Sequence, residues 1–162
     1  MRRGVADLHR RAEVSQKANE RYWDALSTVD DSTRFCELTR DLEKRRRYKD
    51  RSVRALHPFQ ADDHRLLEAV NHGEFTINGF RNRDLQQLLY GPVNPKAPLT
   101  KAEKRRRAAA VSRKLRILHI HGLVNKVQKT HRYQVTQHGH LAITAVLTMD
   151  RTSIATLNQV AA

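Results

Sequence analysis

Three kinds of side chain in this 162-residue sequence could do chemistry: nine histidines, one cysteine, and 31 lysines and arginines set against 17 acids. The histidines are badly spaced for a metal. His119 and His121 are two apart on an expected helix, about 200° around its axis, so they cannot share one ion. His138 and His140 straddle Gly139 with no carboxylate or cysteine beside them. Most of the nine are expected at the surface or against phosphate. Cys36 falls on an apolar stripe with Phe35 and Leu38, where a buried, inert thiol is expected, and a single cysteine makes no disulfide framework. The adjacent pairs Asp30-Asp31 and Asp62-Asp63 stand at expected helix starts, where capping accounts for them. No phosphate-binding glycine loop, H-E-x-x-H pair or nucleophile elbow is present. The expectation is a non-enzymatic protein with no cofactor and no metal.

The cations are the remaining chemistry, and their distribution is uneven. Residues 1–57 hold 15 basic and 10 acidic residues, residues 58–99 hold four and five, and residues 100–162 hold 12 and two. In that last block every basic residue except Arg151 lies between Lys101 and Arg132, where Glu103 is the only acid. A helix face built for solubility mixes both signs. Like charges this dense repel unless a partner neutralises them, and nucleic acid is the expected partner of a net charge of +14 and a pI near 10.7.

Those cations need a scaffold. Thr100-Lys101-Ala102-Glu103 matches a capping box and opens a helix expected to reach His121, with Gly122 as its terminator. Projected at about 100° per residue, Ala108, Val111, Leu115 and Leu118 share one side and form the core face. Arg106, Ala109, Arg113 and Arg116 lie opposite, flanked by Arg105 and Ser112. Arginine grips phosphate or bonds guanine O6 and N7 in bidentate fashion, and alanine permits close approach. Arg105, Arg106, Ala109, Ser112 and Arg113 are therefore the candidates for base edges, with Arg116 nearer phosphate. A purely phosphate-contacting face remains the alternative. Two β-branched runs, 123–127 and 132–136, flank a polar turn and predict a hairpin. Its residues Lys126, Lys129, Thr130, His131 and Arg132 are candidates for the flanking groove or backbone, while Tyr133 and Val135 are expected to face the core.

Upstream, His57-Pro58 marks a boundary. Asp62 or Asp63 is expected to open a helix carrying Leu66, Leu67 and Val70 and ended by Gly73. Phe75-Thr76-Ile77 alternates as a short strand, Phe80 is a core anchor, and Asn82 caps a helix with Leu85, Leu88 and Leu89. Gly91 to Leu99, with three prolines, is a loop. Thr136 caps a last helix through Leu141, Ala142, Ala145 and Val146, and residues 151–162 form a tail.

Residues 1–57 are expected to be a helical hairpin. Its first helix covers 5–29 with Val5, Leu8, Ala12, Tyr22, Leu26 and Val29 on its seam, a candidate homodimer surface. Asp31 or Ser32 would cap the second, which carries Phe35, Leu38 and Leu42 and runs into Lys44–Lys49. The Lys44–Arg47 run fits a solvated helix end, a second phosphate-contacting patch or, by composition, a nuclear signal.

The order helix, short strand, helix, longer helix, hairpin, helix over residues 62–147, together with the segment LHIHGLVNKVQKTHRYQVTQHG at Leu118–Gly139, resembles the winged helix-turn-helix domain of bacterial regulators such as the MarR and ArsR families. There a helix end, Gly, an apolar pair, a charged wing and a Tyr-x-Val/Leu-Thr-x-x-Gly exit recur. The resemblance covers about half of the chain. It implies a mainly α fold with a small β-wing, residues 58–150 as the winged-helix domain, and double-stranded DNA in contact with helix 101–121 and wing 123–136. The chain would then serve as a transcriptional regulator in the bacterial cytoplasm. The whole chain also resembles the C-terminal part of longer bacterial proteins associated with mobile elements. One departure is the long, proline-rich loop where a turn of about 3–4 residues is usual.

The longest apolar stretches are far short of the roughly 20 residues that span a bilayer, and no apolar segment follows the basic start Met1-Arg2-Arg3-Gly4, so neither a membrane partner nor a secretory signal is expected. Aromatics at 6% argue against single-strand stacking. Two other function classes stay open: a protein-assembly module without DNA binding, and an RNA-binding protein gripping A-form phosphates.

Overall fold

The computed structural model describes residues 11–17, 19–20, 33–93, 98–154, 156 and 159. The chain is mainly helical with two small antiparallel sheets. Among the described residues no helix is long and apolar enough to cross a membrane. Residues 11–17 are helical and exposed. The seam residues Val5, Leu8, Tyr22, Leu26 and Val29 and the expected caps Asp31 and Ser32 lie outside the described residues.

The second N-terminal helix stops well short of the basic run. Helix α1 covers Phe35–Arg40, and strands β1 (Arg46–Tyr48) and β2 (Arg51–Val53) form a hairpin where a helix end was expected. The charge pattern explains the change. A continued helix would stack Arg45 on Lys49 and Arg47 on Arg51 at i,i+4, which is repulsive. The hairpin register instead sets Arg46 opposite Val53, Arg47 opposite Ser52 and Arg51 opposite Tyr48, so each guanidinium faces an uncharged residue. Lys49 and Asp50 make the two-residue turn with φ of 47° and 58°, the left-handed pair that a tight hairpin demands. The hairpin's base is closed by Leu56 N–H donating to the Leu42 carbonyl at 2.8 Å, and both leucines are buried. Cys36 is exposed on α1, contrary to the expected buried thiol; Leu38, two residues on, turns inward instead.

Helix α2 (Ala61–Val70) buries Leu66, Leu67 and Val70 as expected and ends with Asn71 as its C-cap, before Gly73. Its N-cap is Gln60, so Asp63 is not a cap. Phe75–Asn78 is a helical turn, α3, and not a strand: each of its first two residues closes a turn to a carbonyl three behind, His72 and Gly73. The strand falls two residues later, at β3 (Phe80–Arg81), followed by α4 (Asn82–Tyr90). Leu85 is buried in α4 and Leu89 packs on the core, but Leu88 faces outward.

Helix α5 (Lys101–Ile120) has the expected capping box. Thr100 Oγ1 accepts from Glu103 N–H at 3.2 Å, and Glu103 accepts from Thr100 N–H at 2.8 Å, which holds the Glu103 carboxyl below its ordinary range. The helix ends at His121 and Gly122, whose φ is 76°. Strands β4 (Val124–Lys126) and β5 (Arg132–Val135) follow, and β3 joins β5 to give the order β3-β5-β4. Thr136 caps α6 (Gln137–Arg151) by accepting from Gly139 N–H at 2.9 Å.

One core joins these parts. Leu42 and Leu56 pack in the same cluster as Leu66, Phe80, Leu115, Leu118 and Ile143. Phe80 stacks between Phe75 and Tyr133, with ring centroids 5.2 and 6.1 Å apart. Two glycines make close approaches possible. A Cβ at Gly79 would lie 2.3 Å from the Tyr133 carbonyl oxygen, and one at Gly139 would lie 2.1 Å from that of Leu123. Each glycine therefore lets one backbone rest directly on another.

Candidate nucleic-acid interface

Helix α5 is oriented by its apolar stripe. Val111, Leu115 and Leu118 are buried to within 1% and Ala108 is half-buried, so the expected core face is the one that packs. At about 100° per residue this turns the opposite side to solvent. Arg105, Arg106, Ala109, Ser112, Arg113 and Arg116 are all exposed. Among the described residues, none of these four arginines lies within ion-pair distance of a carboxylate.

Two other cations of α5 are tied elsewhere. Arg107 stacks over the Tyr90 ring at 5.1 Å, and Lys114 Nζ reaches the Asp62 carbonyl at 3.5 Å. Both contacts steady α5 against its neighbours and leave the outward arginines unengaged.

Asn82 has a role that the capping expectation does not assign. Arg81 is the N-cap of α4, and its N–H donates to Asp84 at 2.7 Å. The Asn82 amide reaches across to α5, donating to the Ala108 carbonyl at 3.0 Å and to Ser112 Oγ at 2.9 Å. Gln86 Nε2 donates to Asn82 Oδ1 at 2.6 Å and fixes the amide's orientation. This cross-helix clamp sets the angle of α5 and partly engages Ser112. The clamp carries no sequence signal beyond an Asn near a helix start, which capping also explains.

The β4–β5 hairpin separates its candidates into two groups. Lys126, Lys129 and His131 are exposed, with Lys129 at a φ of 57° in the turn. Thr130 is a turn residue: its hydroxyl donates to the Val127 carbonyl at 2.9 Å and accepts from Arg132 N–H at 3.1 Å. Arg132 donates to the Asn78 carbonyl at 2.9 Å, fastening the hairpin to α3. Tyr133 and Val135 pack on the core as expected.

An ion pair ties the β1–β2 hairpin to α2. Arg54 holds the buried Asp63 carboxylate with two hydrogen bonds of 2.6 and 2.5 Å, and His57 N–H adds a third at 3.0 Å. Burial opposes ionisation of Asp63, but these donors outweigh it and its pKa falls below the ordinary 3.8. The backbone carbonyl of the same Arg54 accepts from His121 Nε2 at 3.1 Å. His121 is 1% exposed at the end of α5, not the surface histidine expected, and burial pushes its pKa below the ordinary 6.5. Arg54 thus connects the first hairpin to the first turn of α2 and to the last turn of α5.

That first hairpin adds cations that α5 alone does not supply. Tyr48, Lys49, Arg51, Ser52 and Val53 form one wall of a cleft whose other wall is Arg116 and Ile120 of α5. Its strands, Arg46-Arg47-Tyr48 and Arg51-Ser52-Val53, carry no apolar alternation, so the sequence alone gives little sign of the hairpin.

Comparison with protein-family models, curated proteins and solved structures finds no match to this chain.

Proposed function

We propose that this chain is a winged helix-turn-helix protein that binds double-stranded DNA. In this reading α5 enters the major groove and the β4–β5 hairpin is the wing beside it. The order α2, β3, α4, α5, β4, β5 and the sheet order β3-β5-β4 support the fold assignment. The single observation that carries the function is the outward face of α5: Arg105, Arg106, Arg113 and Arg116 are exposed around Ala109, without carboxylate partners among the described residues. A helix of about 10–12 Å diameter fits the roughly 12 Å major groove, and arginines on it can bond guanine or phosphate. Asn82 supports the same role by fixing the helix angle without using the arginines. Of the expected contacts, Thr130 and Arg132 are assigned to building the wing, and Lys126, Lys129 and His131 to meeting the backbone. The biological role consistent with this chemistry is that of a transcriptional regulator or the DNA-binding module of a mobile-element protein.

Fluorescence anisotropy of a random-sequence duplex over a salt series tests the proposal. The expected slope of log affinity against log salt is about −0.9 per phosphate contact, for roughly 5–8 contacts. Arg113→Glu is expected to weaken binding about tenfold or more. Absence of duplex binding at low salt overturns the DNA reading. Unchanged binding by the Arg113 variant overturns the assigned face.

A further inference from the structure

The β1–β2 hairpin is a short antiparallel ribbon with more cations than its stability needs. Arg45, Arg47, Lys49 and Arg51 are exposed, and among the described residues none pairs with an acid. The nearby cations that do pair are different ones: Lys44 and Arg46 lie 3.2 and 3.8 Å from Asp41, and Arg54 holds Asp63. The register puts Tyr48 and Arg51 directly opposite each other on the ribbon, hence on one of its faces. Both line the cleft of about 350 Å³ facing Arg116 and Ile120. Three cations, Lys49, Arg51 and Arg116, therefore border one cleft that has Val53 and Ile120 for apolar surface and, among the described residues, no carboxylate in its lining.

The position of this cleft along α5 matters. Arg116 follows Arg113 on the outward face of the helix, so the cleft continues that face toward the C-terminal end. The wing approaches α5 through a different junction, Gly122 to Val124, and is fastened to α3 by Arg132. The hairpin is also rigidly held. Leu42 and Leu56 anchor its base in the core, and Arg54 ties it to Asp63. Its turn keeps a lysine, Lys49, at positive φ, a conformation that disfavours a non-glycine residue.

We infer that the cleft between the β1–β2 hairpin and the C-terminal half of α5 binds the phosphodiester backbone of duplex DNA, with Lys49, Arg51 and Arg116 as its cationic contacts. This rests on the DNA-binding reading above and extends it, giving α5 a basic ribbon in addition to its wing. Arginine at Arg51 and Arg116 offers forked donors to phosphate oxygens, and Lys49, whose Nζ lies 5.6 Å from the centre of the Tyr48 ring, supplies a point charge. The Tyr48 hydroxyl adds a neutral donor on the same wall.

The test compares the salt slope of the full chain with that of a K49Q/R51Q variant on one random-sequence duplex of about 30 bp. Loss of two phosphate contacts is expected to lower the slope by about 1.8 and to weaken binding about tenfold at 0.15 M salt. An R65Q/R151Q variant, removing the same charge from α2 and α6, is expected to keep the wild-type slope, and the charge-preserving K49R/R51K pair is expected to keep it too. Circular dichroism verifies that each variant is folded. If Arg113→Glu weakens binding while K49Q/R51Q leaves the slope unchanged, the cleft inference is overturned and the DNA-binding reading stands. An equal loss in R65Q/R151Q also overturns it, because net charge alone would then explain the effect. If the wild-type chain binds no duplex, both fall together.

Discussion

The side-chain amide of Asn82 donates to Ser112 Oγ at 2.9 Å, joining the first turn of α4 to the middle of α5. Asn82 also holds the Ala108 carbonyl and is itself held by Gln86. Asn82→Ala removes three hydrogen bonds and is expected to cost about 1–2 kcal/mol, measured by urea unfolding. In the proposed DNA-binding reading, releasing α5 should also weaken duplex binding, because the angle of the helix decides which arginines reach the DNA. Unchanged unfolding stability in this variant would refute the clamp.

Gly139 and Gly91 offer a matched comparison. A Cβ at Gly139 meets the Leu123 carbonyl at 2.1 Å, whereas nothing lies within 4 Å of one at Gly91, whose only demand is its φ of 75°. Gly139→Ala is expected to lose about 3 kcal/mol, since the Leu123 carbonyl cannot move aside without displacing α6 from the segment that leads into β4. Gly91→Ala is expected to lose about 1 kcal/mol. Equal losses in thermal or urea unfolding would contradict the close packing of α6 on Leu123.

The Arg54–Asp63 pair is asymmetric. The Asp63 side chain is 2% exposed and that of Arg54 is 45% exposed. Arg54→Ala strands a buried carboxylate with only the His57 N–H, and is expected to cost roughly 3 kcal/mol. Asp63→Ala leaves a guanidinium that can turn to water, and should cost less, about 1–2 kcal/mol. Because the folded-state pKa of Asp63 lies below 3.8, its contribution is complete above that value and is lost as pH falls through the lower, folded-state pKa. A double-mutant cycle at neutral pH measures the coupling, and the reverse order of losses would refute the asymmetry.

His121 gives a separate pH dependence. Burial lowers its folded-state pKa below 6.5. Above 6.5 the ring is neutral in both states, so it contributes no pH dependence. Below 6.5 the unfolded chain takes up a proton that the folded chain refuses, and stability falls until the folded-state pKa is passed. Thermal unfolding between about pH 7.5 and 5.5 should therefore show a falling Tm, and His121→Gln should flatten that fall. An equally steep fall in the variant would assign the effect to other groups.

Much of the site's scaffold is written locally. The Thr100–Glu103 box, the stripe Val111, Leu115, Leu118 and the terminator Gly122 define α5, because capping and helical periodicity act within a few residues. The same holds for the β4–β5 hairpin and for Thr136 at the head of α6. The exposed arginines follow at once, since burying one side of a helix exposes the other.

What tertiary structure alone decided were the features whose causes lie far apart in sequence. Lys44–Lys49 continues a helix by local propensity, yet Arg46–Tyr48 becomes a strand because pairing with Arg51–Val53 separates like charges and buries Leu42 and Leu56 together. Phe75–Asn78 alternates like a strand, but Tyr133 takes its strand partner from Phe80. Asp63 and Asn82 have the composition of caps and act instead on Arg54 and Ser112, nine and thirty residues away. A short polar side chain satisfies whichever donor or acceptor the packed core brings to it, and the sequence order does not specify which one that is.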